Sequence, residues 1–235
     1  MSRVSNCNPN AAVICAATAL MLLAAAPAAD AGQEPVPIEG EPRHSLKFEN
    51  AHVRFFDVEL EPGYRALYHW HRNDRVFVNI LPANTVAQDW GGNPSAREPR
   101  AIGETYFIRY SRSPKAHRVS NSDLRPYRVT DTEILSGCGG QAQWREGRNQ
   151  TLILQNDRVF VTRVMLHPGE SAELPGPCGM LVSVSGGDLV IGAPGETSPL
   201  TMHRAGFHWR TSRLTQTLTN AGSRVFQGVD IRIKR

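Results

Sequence analysis

Along much of this chain apolar and polar side chains alternate with a period of two. Phe56, Val58 and Leu60 alternate with Asp57 and Glu59, the pattern of a strand with one buried face. The run Val76-Phe77-Val78-Asn79-Ile80-Leu81 is β-rich and stops at Pro82-Ala83-Asn84. Thr105-Tyr106-Phe107-Ile108 resumes strand character, and residues 127–135 close a first half. The polar piece 89–100, with Trp90-Gly91-Gly92-Asn93-Pro94-Ser95, reads as a loop. Gly186-Gly187-Asp188, between apolar runs, reads as a hairpin turn. No long stretch carries a helical period, so the many short strands punctuated by Gly, Pro and Asn predict an all-β barrel or sandwich.

The pattern then repeats. Asn50-Ala51-His52-Val53-Arg54-Phe55 matches Asn156-Asp157-Arg158-Val159-Phe160-Val161, and both lead at equal spacing to Pro62-Gly63 and Pro168-Gly169. Near the end of each half, Asn121, Arg125, Tyr127 and Asp131 line up with Asn220, Arg224, Phe226 and Asp230. Equal order and spacing at both ends argue for an internal duplication. Residues 136–150, opening on Gly137-Cys138-Gly139-Gly140, have the composition of a linker between the units, and 32–46 that of an extended arm. The expected layout is a unit over 47–135 and a second over 151–235.

Composition adds bounds. The chain has 235 residues, enough for one large β domain or two small ones, and its 40% hydrophobic and 20% charged fractions suit a packed globular protein. The formal net charge is +4, with basic residues scattered (Arg65, Arg72, Arg75, Arg97, Arg100, Arg109, Arg112) as on a mildly basic surface. No basic helix or aromatic-basic ribbon stands out, which argues against a nucleic-acid partner. Arg3, the Ala- and Leu-rich stretch 11–26 and small-residue sites at Ala26-Pro27-Ala28 and Ala29-Asp30-Ala31 follow the grammar of a secretory signal peptide over 1–31. The apolar run is shorter than the roughly 20 residues of a spanning helix, so no stable membrane insertion is expected. Export to a periplasmic or external space would remove Cys7 and Cys15. Cys138 and Cys178 would be left either as a disulfide or as two unpaired thiols.

Candidate chemistry centres on His69-Trp70-His71, six residues beyond the Pro62-Gly63 turn. In a strand, residues two apart share a face, so His69 and His71 point together while Trp70 points away. His117, in the phrase His117-Arg118-Val119-Ser120-Asn121, could complete a grip on one metal ion. Neutral imidazoles suit Zn, Cu, Fe or Ni, and spacing does not choose among them. Tyr68, Trp70, Tyr106 and Phe107 could line a pocket, though in β proteins such residues more often fill a core or a sheet face. His203 and His208 read as surface or core histidines. There is no Gly-rich phosphate loop, His-Glu-x-x-His helix or Gly-x-Ser-x-Gly elbow.

Gly63, then His69-x-His71, then His117-x-x-x-Asn121 resembles the two signature motifs of the cupins. The resemblance implies two tandem double-stranded β-helix (cupin, jelly-roll-like) barrels, a bicupin whose second barrel is degenerate. It implies that His69, His71 and His117 hold a divalent metal, with Fe, Zn, Ni, Cu and Mn all in range. The cupin pattern also places a glutamate four or five positions after the second histidine, where this chain has Arg75 and Val76. Asp74 stands one place early as a weak substitute. In the second half Pro175-Gly176-Pro177 replaces the His-x-His element and Gln216 replaces His117. The implied partners are a small-molecule ligand or substrate and a second copy in a homodimer. The implied functions are an exported, dioxygenase-like, isomerase or lyase metalloenzyme, or alternatively a non-catalytic small-ligand-binding bicupin.

Overall fold

The computed structural model describes residues 32–138, 147–193, 195–211 and 213–234. The proposed leader and most of the expected linker lie outside the described residues. The first half contributes β1 (Val36–Pro37), β2 (His44–Glu49), β3 (Val53–Leu60), β4 (His69–His71), β5 (Asp74–Leu81), β6 (Thr85–Asp89), β7 (Pro94–Arg97), β8 (Thr105–Ile108), β9 (Lys115–Asn121) and β10 (Tyr127–Ile134). The second contributes β11 (Gln150–Gln155), β12 (Val159–Leu166), β13 (Ser171–Leu174), β14 (Gly179–Ser183), β15 (Gly187–Ala193), β16 (Glu196–Met202), β17 (Phe207–Arg210), β18 (Gln216–Asn220) and β19 (Phe226–Ile233). A short 3-10 turn, Ile38–Gly40, is the helical element among the described residues.

Each half forms two facing sheets. In the first they run β1-β4-β9-β6-β7 and β2-β3-β10-β5-β8; in the second β11-β12-β19-β14-β17 and β13-β18-β15-β16. The chain switches sheet between β3 and β4, β4 and β5, and β9 and β10, which winds it into a β-helical barrel. The all-β, twice-repeated barrel expected from the pattern is the fold observed.

Local chemistry repeats with it. The Asn50 Oδ1 accepts from the backbone N–H of His52 and Val53 (2.8 and 2.9 Å), and Asn156 Oδ1 from those of Arg158 and Val159 (2.7 and 3.0 Å). These Asx turns set the entry to β3 and β12. Asn121 Nδ2 donates to the carbonyls of Leu60 and Arg125, as Asn220 Nδ2 does to those of Leu166 and Arg224. Gly63 and Gly169 both adopt positive φ, +76° and +81°, where a side chain is disfavoured.

Strand β5 shows why the first half reads as a continuous apolar run. Val76, Val78 and Ile80 join Val53, Phe55 and Ile134 in a core shared with Val159, Val161, Met180, Val182, Val229 and Ile231 of the second half. The alternate residues Arg75, Phe77 and Asn79 are buried on the opposite face, inside the first barrel. Arg75, expected on the surface, is therefore fully buried. Its Nη1 donates to Asp131 Oδ2 at 2.5 Å, and its Nη2 lies 2.7 Å from Glu133 Oε1. Only ion pairing makes such burial tolerable.

Two further expectations are corrected. Residues 94–97 are strand β7, paired with β6 from Thr85↔Arg97 to Gln88↔Pro94, within the piece expected to be all loop. Every residue of β7 is exposed, so no alternation marks it, and Pro94 is allowed because β7 is an edge strand. Gly186-Gly187-Asp188 is not a hairpin turn. It carries the chain from β14 in one sheet to β15 in the other, where Gly187 passes close to the Phe226 ring.

Cys138 and Cys178 form a disulfide, Cα–Cα 5.9 Å, at the margin of the shared core. No helix among the described residues is long and apolar enough to cross a membrane.

Candidate metal centre

Strand β4 buries His69 and His71 and leaves Trp70 half-buried, with the Arg72 guanidinium over its ring at 4.7 Å. Across the sheet His69 is paired directly with His117 of β9. That register depends on one extra residue. Arg65 bridges Ser120, so four steps to His69 match three steps back to His117. A bulge of this kind re-aims side chains. In the second barrel no residue is added: Ser171 pairs Thr219 and Leu174 pairs Gln216. Fully buried Leu174, not Pro175, thus takes the pairing position of His69.

The N-terminal segment secures the bulge. Val36 and Pro37 of β1 pair in parallel with His69 and Trp70. The buried Glu41 carboxylate accepts from the Leu67 N–H at 2.5 Å and from the Tyr64 hydroxyl at 3.1 Å. The Leu67 carbonyl in turn accepts from His69 Nδ1–H at 2.8 Å. A carbonyl cannot donate, so this contact fixes the tautomer and leaves the Nε2 lone pair of His69 free.

The three imidazoles converge, with one nitrogen of each within 4.8 Å of the others. His71 Nε2 and His117 Nε2 are 3.1 Å apart, and the ring centroids of the three pairs lie 4.7–5.2 Å apart. Two ligands 2.0–2.1 Å from one tetrahedral ion would stand roughly 3.4 Å apart, close to the His71–His117 spacing. His69 Nε2 and His71 Nδ1 are buried without a hydrogen bond. Tyr110 stacks on His71, centroids 4.7 Å apart and planes 17° apart, which restrains that ring. Burial, reinforced by Arg75, holds the His69 pKa down at about 4 against the lesser pull of the Leu67 carbonyl, and burial lowers those of His71 and His117 well below the ordinary value. Neutral imidazole is the form that binds a metal. On geometry, tautomer and protonation state the residues fit one divalent ion.

The neighbouring carboxylates are engaged elsewhere. Asp74, the weak substitute for the missing glutamate, accepts from Ser111 N–H at 3.0 Å and pairs with Arg158 at 3.2 Å, joining the two halves. Asp131, pushed up to about 6 by burial, is paired with Arg75. Beside the triad lies a cavity of about 60 Å³ walled by Val58, Leu60, Phe77, Val119 and Val129, with the exposed residues Arg97 and Glu98 also lining it. Tyr106 lines it too, whereas Phe107 packs on the core between the barrels. The matching interior of the second barrel is filled by Val164, Leu166, Leu174, Leu181, Leu218 and Phe226. His203 is exposed and His208 half-buried on β17.

Three residues of the site were invisible in the sequence. His44, on β2 opposite Val58, lines the same cavity, and its ring lies 4.4 Å from that of His69. It belongs to no motif and sits in a strand whose other residues are largely exposed. Glu41 and Tyr110 were missed for the same reason, since long-range contacts alone give them a role.

No known family profile matches the sequence, and no curated protein matches it. Solved structures do. A cupin 2 conserved barrel domain protein from Leptotrichia buccalis is similar over 80% of this chain and 87% of its own, with 12% identity and a TM-score of 0.50. The protein YhaK from Escherichia coli is similar over 87% of this chain and all of its own (100%), with 16% identity and a TM-score of 0.56. Oxalate decarboxylase from Bacillus subtilis, a protein with Mn(II) centres, is similar over 79% of this chain and 70% of its own, with 12% identity and a TM-score of 0.50. With two sheets per half, a β-helical winding and these structural neighbours, the chain has the cupin fold twice over.

Proposed function

We propose that this is an exported cupin-type metalloprotein that holds one divalent ion through His69, His71 and His117 and presents it to a small molecule. The observation that carries the reading is the convergence of three buried imidazoles from two strands, with His71 Nε2 and His117 Nε2 3.1 Å apart. An ion bound there would act as a Lewis acid or redox centre with positions left open toward the cavity. Oxygenase-like chemistry is the first candidate reaction and isomerase or lyase chemistry the second. The likeness to oxalate decarboxylase makes small carboxylates the first substrates to try. The sequence grammar of residues 1–31 supports export, and the Cys138–Cys178 disulfide supports an oxidising compartment.

The experiment is elemental analysis of purified protein reconstituted in turn with Fe, Zn, Ni, Cu and Mn. One ion per chain is expected, lost in His71→Ala and in His117→Ala. Wild type that stays metal-free with all five would end the reading. Oxygen uptake and product analysis with small carboxylates then separate an enzyme from a binding protein. The engagement of Asp74 with Ser111 and Arg158, away from the triad, favours the second reading, a non-catalytic ligand binder.

A further inference from the structure

The described carboxylates nearest the triad in sequence are spoken for, yet the cavity has a fourth imidazole. His44 enters from β2, strapped in place by its own backbone N–H, which donates to the Glu41 carbonyl at 3.0 Å. Its side chain faces inward because its register partner is Val58, itself a cavity wall. Nδ1 of His44 is buried and makes no hydrogen bond within the protein. Buried polar atoms nearly always find a partner. The apolar part of the cavity wall is Val58, Leu60, Phe77 and Val129, and Thr85, Tyr106 and Tyr127 line it as well.

The position is next to the metal site and not in it. His44 touches His69 ring to ring but stands outside the 4.8 Å cluster of ligand nitrogens. A group one step beyond a metal's ligands, aimed into the same small cavity, is placed to contact whatever occupies the ion's open position. We propose that His44 is a binding residue for the non-protein ligand of this centre: it hydrogen-bonds a small anion whose other end sits on the metal. Arg75 stands where the cupin pattern has a glutamate, so the cavity lacks that negative charge, which favours an anionic guest over a cationic one.

This rests on the metal reading of the triad, and the test keeps the two apart. Wild type, His44→Ala, His44→Gln and His71→Ala are loaded with Co(II) at pH 7.5. Cobalt affinity is read from the visible spectrum, followed by a titration with azide as the probe anion. The expected result for His44→Ala is cobalt affinity within about twofold of wild type and azide affinity lower by roughly five- to tenfold, the worth of one hydrogen bond. His44→Gln, which keeps a donor and an acceptor, should recover part of the loss, and it serves alone if the alanine variant fails to fold. Unchanged azide affinity in both variants overturns the proposal, as does wild-type cobalt protein that ignores azide. A tenfold or greater fall in cobalt affinity on losing His44 also overturns it, because His44 would then be a metal ligand. Wild type that binds no cobalt removes the triad reading itself, and this proposal with it.

Discussion

Three imidazoles inside one apolar barrel are tolerated only while they carry no charge. His69, His71 and His117 all have pKa values lowered by burial, so the unfolded chain takes up their protons first as pH falls. Each therefore subtracts stability from about pH 6.5, the unfolded value, down to its folded value, about 4 for His69. Asp131 works the other way. Its raised folded pKa, about 6, means the folded chain binds the extra proton between that value and the ordinary carboxylate range, which adds stability as pH falls. One carboxyl does not offset three imidazoles. In metal-free protein, urea unfolding at pH 5.5 should show a lower midpoint than at pH 7.5, by on the order of 1 kcal/mol for each buried histidine. An unchanged midpoint would mean the rings are hydrated. At this scale the sequence was readable where geometry is local. Period two puts His69 and His71 on one face, and a motif at a distance identified His117. His44 was not readable, because what makes it matter is a neighbour twenty-five residues away.

At the scale of elements, the bulge before β4 is the device that brings His69 into register with His117. Its hold on the site runs from Glu41 through Leu67 to His69. Glu41→Gln should keep the fold and weaken metal affinity roughly tenfold, the usual cost of losing a group that orients a ligand; isothermal titration with Zn(II) reads it directly. The segment 32–46 showed only Pro, Gly and charge in the sequence, so neither this carboxylate nor the pairing of β1 could be inferred. Register also explains an exchange between the halves. Asp131 and Asp230 occupy matching places, and each meets a buried guanidinium, Arg75 in one barrel and Arg210 in the other. Arg75 lies on β5, whereas Arg210 lies on β17 directly opposite Gly179, the residue that matches Arg75. A Cβ on Gly179 would stand 1.7 Å from Arg210 Nη2. Gly179→Ala should thus displace the arginine from Asp230 and cost about 3–5 kcal/mol, measurable by chemical denaturation. Gly179→Arg combined with Arg210→Ile would return the guanidinium to the strand position that Arg75 holds in the first barrel and should unfold later than either single variant.

For the molecule as a whole, the largest apolar cluster belongs to both halves at once. Phe55 of β3 packs on Phe207 of β17 with centroids 4.7 Å apart, and Phe48 of β2 meets Phe207 and Trp209 at 5.6 and 6.0 Å. Asp74–Arg158 and the bidentate Arg109–Asp157 pair tie the same faces. The two barrels should therefore melt in one calorimetric transition, and two resolved transitions would contradict the shared core. The disulfide adds a covalent tie across 40 residues of sequence. Cys178→Ser should lower stability by about 2–4 kcal/mol, and a reductant should do the same to wild type while leaving the variant unmoved. The doubled architecture was legible because turn residues recur at fixed offsets. The packing of one barrel on the other was not, since a strand buried on both faces looks the same whatever lies against it.

The relocated arginine also constrains how such a protein can have arisen. Once a single ancestral barrel was copied, the second copy could not simply drop its arginine, because an unpaired aspartate in a dry interior is ruinous. Between the two halves the positions on facing strands differ together, Arg75 and Ile108 in one against Gly179 and Arg210 in the other. Proteins with this doubled fold should carry those two residues together or lack them together.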